Sequence, residues 1–187
     1  MKMNNMNNLS RQYNRELLQF GLISGLAAIF VFVIIYVLGS EYFLSPIVWV
    51  SSFGLPIVFA VLGARAAKKN GNGYLPFSGA LKICFGVFVL TGLLSTLFSF
   101  TMFNFIDVAF GESVKQLTIE KTMEFMQRFK VPDTEVDKQI DQLVEMDMFS
   151  LGNLFKSFAQ SCIVYFFEAL IVAAIVKKKK PEIEFGN

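Results

Sequence analysis

Residues 17–40 read LLQFGLISGLAAIFVFVIIYVLGS, 24 positions without one charged side chain. A helix rises about 1.5 Å per residue and the hydrocarbon core of a bilayer is about 30 Å thick, so about 20 apolar residues suffice to cross it. This run is long enough to span. It is too long for the apolar core of a secretory signal and has no A-x-A-like exit, so it reads as a first span that stays with the protein.

Working outward, residues 43–64 and 83–106 carry no charge either, and residues 157–176 carry a single one, Glu168. The composition agrees. Of 187 residues 54% are hydrophobic, 22 are Phe and only 17% are charged, against about 25% charged in ordinary soluble domains. The apolar excess therefore needs lipid to face. The expected fold is an all-α integral membrane protein with four transmembrane helices and a two-helix extracytoplasmic hairpin between spans three and four. The expected divisions are a cytoplasmic segment over 1–16, spans one to three within 17–106, the hairpin over 107–153, span four over 154–176 and a basic cytoplasmic tail over 177–187.

Lys and Arg near span ends are retained on the cytoplasmic side, so their placement sets orientation. Lys2, Arg11 and Arg15 precede span one; Arg65, Lys68, Lys69 and Lys82 flank the second connection; Lys177 to Lys180 follow span four. The other side has Glu41 in a short link and the long connection over 107–153, where ten acids outnumber five bases. Both termini are expected in the cytoplasm. Tyr36, Tyr42 and Trp49 fall near the outer boundary, with Tyr13, Tyr74 and Phe77 near the inner one, as amphipathic rings prefer. The Lys177 to Lys180 run reads first as a stop signal that meets lipid headgroups.

The 107–153 connection is too long for a bare loop and has helical periodicity. Val114, Leu117, Thr118, Thr122, Phe125 and Phe129 share a face that Ile119, Met123 and Met126 widen. Pro132 ends that helix, Asp133 or Thr134 is positioned to cap the next, and Val136, Ile140, Leu143 and Val144 form its apolar stripe. So small a hairpin needs support for its apolar faces. They can rest on each other, on the outer ends of the spans, or on a partner; the acidic excess disfavours lying on anionic headgroups.

Several chemistries are excluded. Histidine is absent, which removes Ser-His-Asp and Cys-His catalysis and His-ligated zinc or haem. No phosphate-binding glycine motif occurs, and Gly71-Asn72-Gly73 reads as a turn. Cys84 and Cys162 lie toward opposite ends of their spans, too far apart in height to pair. No enzyme, cofactor, metal site or nucleic-acid partner is expected; the bilayer itself is the expected surrounding.

Inside the spans, Glu168 is the costly residue, because a carboxylate at mid-membrane costs about 3 kcal/mol on insertion scales. Ser157, Ser161 and Tyr165 share its helix face, and Lys82 and Arg65 are candidate charge partners. Glu168 reads as a helix-packing device, as a proton- or cation-coupling group in a small transporter or channel component, or as a residue snorkelling to the inner face. Gly21-x-x-x-Gly25 followed by Ala28 offers a small-residue face for close helix approach, within the chain or in a dimer. Span three carries Cys84, Thr91, Ser95 and Ser99 on one face, and Pro56 after Gly54 marks a break in span two.

The Gly21-Leu-Ile-Ser-Gly25 opening of span one, the Phe77-Ser-Gly-Ala-Leu-Lys82 entry into span three, the Phe103-Asn-Phe-Ile-Asp107 exit and the basic tail after Ala173-Ala-Ile-Val176 resemble the small membrane proteins grouped as domain-of-unknown-function 4199. The resemblance covers nearly the whole chain. It implies four spans, a long connection between spans three and four, and a bacterial inner membrane of the Bacteroidota type with the hairpin in the periplasm. It brings no catalytic or binding residues. The functional expectation is a structural or partner-binding membrane protein, acting with another membrane protein or as a homo-oligomer through the hairpin and the small-residue faces. The alternative is transport through Glu168.

Overall fold

The computed structural model describes residues 2–178, with side chains from residue 10 onward. Of the basic residues counted above, Lys179 and Lys180 lie outside the described residues, as does the rest of the tail. Six α-helices follow in order: α1 (Lys2–Leu38), α2 (Pro46–Asn70), α3 (Phe77–Thr101), α4 (Val108–Arg128), α5 (Asp133–Glu145) and α6 (Leu151–Val176). A single 3₁₀ turn, Ser40–Tyr42, separates α1 from α2, and a π-helical turn, Met102–Ile106, continues α3.

Four segments are long and apolar enough to cross a membrane: Ser10–Leu38, Pro46–Asn70, Phe77–Ile106 and Leu151–Val176. Each charge-free window falls largely inside one of these helices, with residues 39–40 and 43–45 in the turn between α1 and α2, and each helix runs on beyond its window at one end. The reason is that a charge ends an apolar window but does not end a helix; Lys and Arg stems can lie along the helix while their heads reach water. Thus α1 is already helical through Arg11 and Arg15, and α2 continues past Arg65 through Lys68 and Lys69.

Helix α3 is central, packed against α1, α2 and α6, while α1 lies against α2. Lipid tails are as apolar as leucine, so helices gain little by hiding apolar surface from lipid and associate through close packing. Small residues make that possible. A methyl added at Gly21 would stand 2.9 Å from Leu90, and Gly25 is closed by Leu94 in the same way, so the G-x-x-x-G face of α1 is occupied by α3 of the same chain. Ala60, Ala64 and Ala67 of α2, Ala80, Ile83, Cys84, Val87 and Phe88 of α3, and Ala169, Val172, Ala173 and Val176 of α6 complete the core. Large apolar side chains point outward instead: Leu26, Phe30, Val37, Ile47, Val50, Ile171 and Ile175 are all exposed. In water such a surface would be a defect; in a bilayer it is the expected boundary.

One end of the bundle gathers Arg11, Arg15, Arg65, Lys68, Lys69, Lys82, Lys177 and Lys178 and is tied by polar contacts. The Gln12 amide donates to the Ala67 carbonyl at 3.1 Å, Lys82 donates to Ser10 at 3.2 Å, and Leu75 and Lys178 exchange two backbone hydrogen bonds of 2.9 and 2.8 Å. Lys177 sits over the Phe77 ring at 5.5 Å. Asn72 and Gly73 take positive φ values of 54° and 83°, which makes the tight reversal from α2 to α3.

The opposite end carries α4 and α5. Asp107 starts α4 by accepting the Phe110 N–H at 2.8 Å, while its second oxygen accepts the Tyr36 hydroxyl at 2.9 Å. Around this joint Met102, Phe103 and Val114 are buried among Phe32, Tyr36, Phe43, Phe98, Phe110 and Phe149. Tyr36 is therefore a packing and hydrogen-bonding residue of this joint, whereas Tyr42 and Trp49 stay exposed. The Lys115 ammonium, near the start of α4, donates to the Val144 carbonyl, near the end of α5, at 2.7 Å.

The start of α5 corrects one expectation. Pro132 occupies the capping position, without a side-chain bond, and Asp133 and Thr134 lie inside the first turn. Proline's restricted φ, here −56°, already suits a helix entrance, so the acids Asp133 and Glu135 act on the exposed N–H groups as charges in that first turn.

Candidate functional site

The serines expected on the Glu168 face of α6 do come together, but not with Glu168. Ser157, Ser161 and Tyr165 line a cavity of about 310 Å³ between α1, α2, α3 and α6, in the half of the bundle nearer α4. From α2 it receives Ser51, Ser52 and Pro56; from α3, Thr91, Ser95, Thr96 and Ser99; and from α1, Ala28 with its apolar neighbours. A second cavity, about 340 Å³, shares Phe43, Val48, Ser52, Ser161 and Tyr165 with the first and reaches Trp49, Phe53 and Val164 at the surface. Neither cavity has a charged residue in its lining.

Local chemistry divides the hydroxyls into two groups. Thr91, Thr96 and Ser161 donate to the carbonyls of Val87, Gly92 and Ser157 at 2.8, 2.8 and 2.9 Å, and Ser51 donates to Val48 at 2.9 Å. Such backbonding satisfies the donor within the helix and leaves the oxygen free to accept. The side-chain hydroxyls of Ser52, Ser95, Ser99 and Ser157 make no hydrogen bond among the described residues. The Tyr165 ring stacks on Phe88 with centroids 6.2 Å apart and covers Gly92, where an added methyl would stand 2.8 Å from the ring.

Glu168 is half-buried on α6 and lines neither cavity. Among the described residues it has no ion pair: Lys82 is turned to Ser10, and Arg65 is exposed. The faces of the helices explain the missed pairing. The buried stripe of α3 near the basic end runs through Gly79, Ala80, Ile83, Cys84 and Val87, which puts Lys82 on a different face. The buried stripe of α6 runs through Ala169, Val172, Ala173 and Val176, leaving Glu168 at its edge. Cys84 is buried, Cys162 is half-buried, and both are free thiols.

The buried carboxylate of the bundle is another one. Glu16 keeps 3% of its surface and accepts from Arg15 at 2.8 Å and from the Asn70 amide at 3.1 Å, joining α1 to the end of α2. Its signal in the sequence was that it is the single acid among the three bases preceding span one, one position before the charge-free window. Ser51-Ser52 just ahead of Gly54 and Pro56 was a comparable signal for the cavity: paired hydroxyls beside a helix break.

On α4 and α5 the expected apolar faces are covered only in part. Val114, Ile119 and Val136 are buried, and Leu117, Ile140 and Leu143 are half-buried. Phe125 and Phe129, by contrast, are 62% and 66% exposed, with ring centroids 4.7 Å apart, and Met123, Val144 and Met146 are also exposed. The contacts of α4 with the rest of the molecule are at its root, with the 3₁₀ and π turns, and α5 is held by α4. The side chains near the tip therefore rest on nothing larger than each other.

Four apolar spanning helices packed through small residues, with an amphipathic helical segment on one end, define a multi-pass membrane protein. Within that class, the chain belongs to the family described as Protein of unknown function (DUF4199), whose family model matches residues 19–178. The match ends on the lysine that pairs with Leu75, so the bundle and its external helices fall together within one family unit. No curated protein and no solved structure matches the chain.

Proposed function

We propose that this chain is a non-enzymatic bacterial inner-membrane protein that acts by association, with both termini cytoplasmic and α4 and α5 in the periplasm as a hairpin that presents its tip to a partner. The gathering of Lys and Arg at the opposite end of the bundle supports the orientation. The observation that carries the association is the uncovered Phe125–Phe129 pair at the end of α4. Aromatic pairs of this kind anchor interfaces, because two rings bury a large apolar area with little rotamer entropy to lose.

The charges around the pair select the partner. Arg128 and Lys130 flank Phe129, while on α5 Asp133, Glu135, Asp137, Asp141 and Glu145 outnumber Lys138, so two hairpins meeting along their α5 faces repel each other. A different protein with an apolar pocket rimmed by Lys or Arg fits better than a second copy. The Gly21–Gly25 face supports neither, being filled by Leu90 and Leu94. Transport through Glu168 has less behind it than association, since its carboxylate lines neither cavity.

The test places a photo-crosslinking side chain at Phe129 in the full chain in its native membrane. The expected result is one discrete heterologous protein product, lost in Phe125→Ser and weakened by high salt. Products with lipid alone, or none, overturn the reading; a product with a second copy of the chain replaces the heterologous partner by a dimer.

A further inference from the structure

The hydroxyl-lined cleft is independent of the external helices, and it has the construction of a binding site. We propose that it holds the headgroup of an uncharged, hydroxyl-bearing lipid, a monoacylglycerol-like or glycosyl-type amphiphile, which enters from the bilayer between α2 and α6. The volume of about 310 Å³ lies at the lower end of the range of small-molecule pockets, roughly 300–1,000 Å³. That is room for a headgroup and the beginning of a chain.

The polarity follows from the lining. The hydroxyls of Ser95 and Ser99, half-buried, and of Ser52 and Ser157, exposed at the opening, have no protein partner among the described residues, in a stretch between apolar spanning helices. A polar group left unsatisfied there costs free energy, so the site is completed by a polar guest. Proline adds an acceptor. Pro56 has no N–H to offer the Ser52 carbonyl one turn earlier, which leaves that oxygen without its usual helical donor in a residue that lines both cavities. The absence of any Lys or Arg from the lining gives a phosphate or carboxylate no counter-charge, which excludes the common anionic headgroups.

The way in is lateral. The second cavity continues the first through Phe43, Val48, Ser52, Ser161 and Tyr165 and ends at Trp49 and Phe53, whose rings stack with centroids 6.2 Å apart. Trp49 is 62% exposed, so its indole lies where the guest's chain would leave the protein for the bilayer. The outer part of α2, before Pro56, has no buried residue, so nothing seals this side.

Trp49 is the only tryptophan in the chain and reports on its own mouth. The full chain is reconstituted in phosphatidylethanolamine vesicles and titrated with a monoacylglycerol brominated near the headgroup end of its chain, with brominated phosphatidylglycerol as comparison. The expected result is Trp49 quenching that saturates at low mole fraction for the neutral lipid and rises in proportion to mole fraction for the anionic one. Ser95→Ala with Ser99→Ala, a change that removes only two oxygens, should raise the half-saturating mole fraction about tenfold, the scale expected for two lost hydrogen bonds. Ser157→Leu, which fills the cavity from the lipid-accessible side, should abolish saturation. Proportional quenching for both lipids in the unaltered protein means that Trp49 senses only bulk bilayer and the cleft holds water, which overturns the proposal. Saturation that the serine changes leave untouched, with thermal midpoints unaltered, overturns it equally.

Discussion

At the basic end of the bundle α2 meets its neighbours through Ala60, Ala64 and Ala67, none of which keeps more than 1% of its surface. At the other end α2 presents Ser51 and Ser52 across a cavity from Ser95, Ser99, Ser157 and Ser161. Ala and Ser side chains are close in size, so the size of these side chains does not set the two contacts apart. The difference is the hydroxyl and the proline between them. Alanine asks nothing of its neighbours, so helices that meet through alanine come together as far as their backbones allow. Serine carries a donor and an acceptor that need company, and Pro56, inside the continuous helix, removes one N–H donor at the boundary between the two stretches. The closed half gains dispersion contacts; the open half forgoes them and retains a polar lining.

Equal additions of volume should therefore have unequal effects, and the largest falls in the closed half. Ala64→Phe puts a ring where there is no free space, and overpacking costs about 1–3 kcal/mol or more. The thermal midpoint of the purified protein in detergent should drop by several degrees. Ser52→Phe, at the rim of both cavities, should stay within about 0.5 kcal/mol of the parent. Equal losses for the two variants would show that the cavity closes in the working protein, and the contrast between the halves would fail.

Next in size is the joint that carries α4. Asp107→Ala removes the cap on the Phe110 N–H and the acceptor for the Tyr36 hydroxyl together, for about 1–2 kcal/mol in total. Hydrogen exchange should speed up in the first turn of α4 while amides of α3 near Cys84 stay protected. Uniform acceleration throughout would mean that the two ends unfold as one unit, contrary to their separate construction.

The architecture was legible in the sequence because its signals are long. A charge-free run such as residues 17–40 has few alternatives, and Pro132 between two amphipathic patterns marks the division of α4 from α5. The cleft was half legible: Ser157, Ser161 and Tyr165 were readable as one face of α6, and Ser95 and Ser99 as one face of α3, but nothing in one dimension states that these faces oppose each other. Proximity in height suggested Lys82 and Arg65 as partners for Glu168, whereas pairing also requires the right rotation about each helix axis, and that is set by where Gly79, Ile83 and Ala169 pack. Glu16 was overlooked for the opposite reason. It lies just outside the apolar window, where no hydropathy signal marks it, although α1 continues through it and Asn70 at the end of α2 reaches it.

The smallest effect sharpens the comparison at its boundary. Glu168 lies on α6 between the open half and the closed stripe that begins at Ala169, and it has no ion pair among the described residues. Removing one partner of a buried ion pair is costly, typically about 3–5 kcal/mol, whereas neutralising an unpaired, half-buried carboxylate relieves a desolvation cost. Glu168→Gln should therefore leave the thermal midpoint unchanged or raise it slightly. Glu16→Gln, acting on the carboxylate that Arg15 and Asn70 do hold, should lower it. A reversal of that order would mean that Glu168 is held by a partner beyond the described residues and belongs with the closed half, leaving the polar lining of α6 to Ser157, Ser161 and Tyr165 alone.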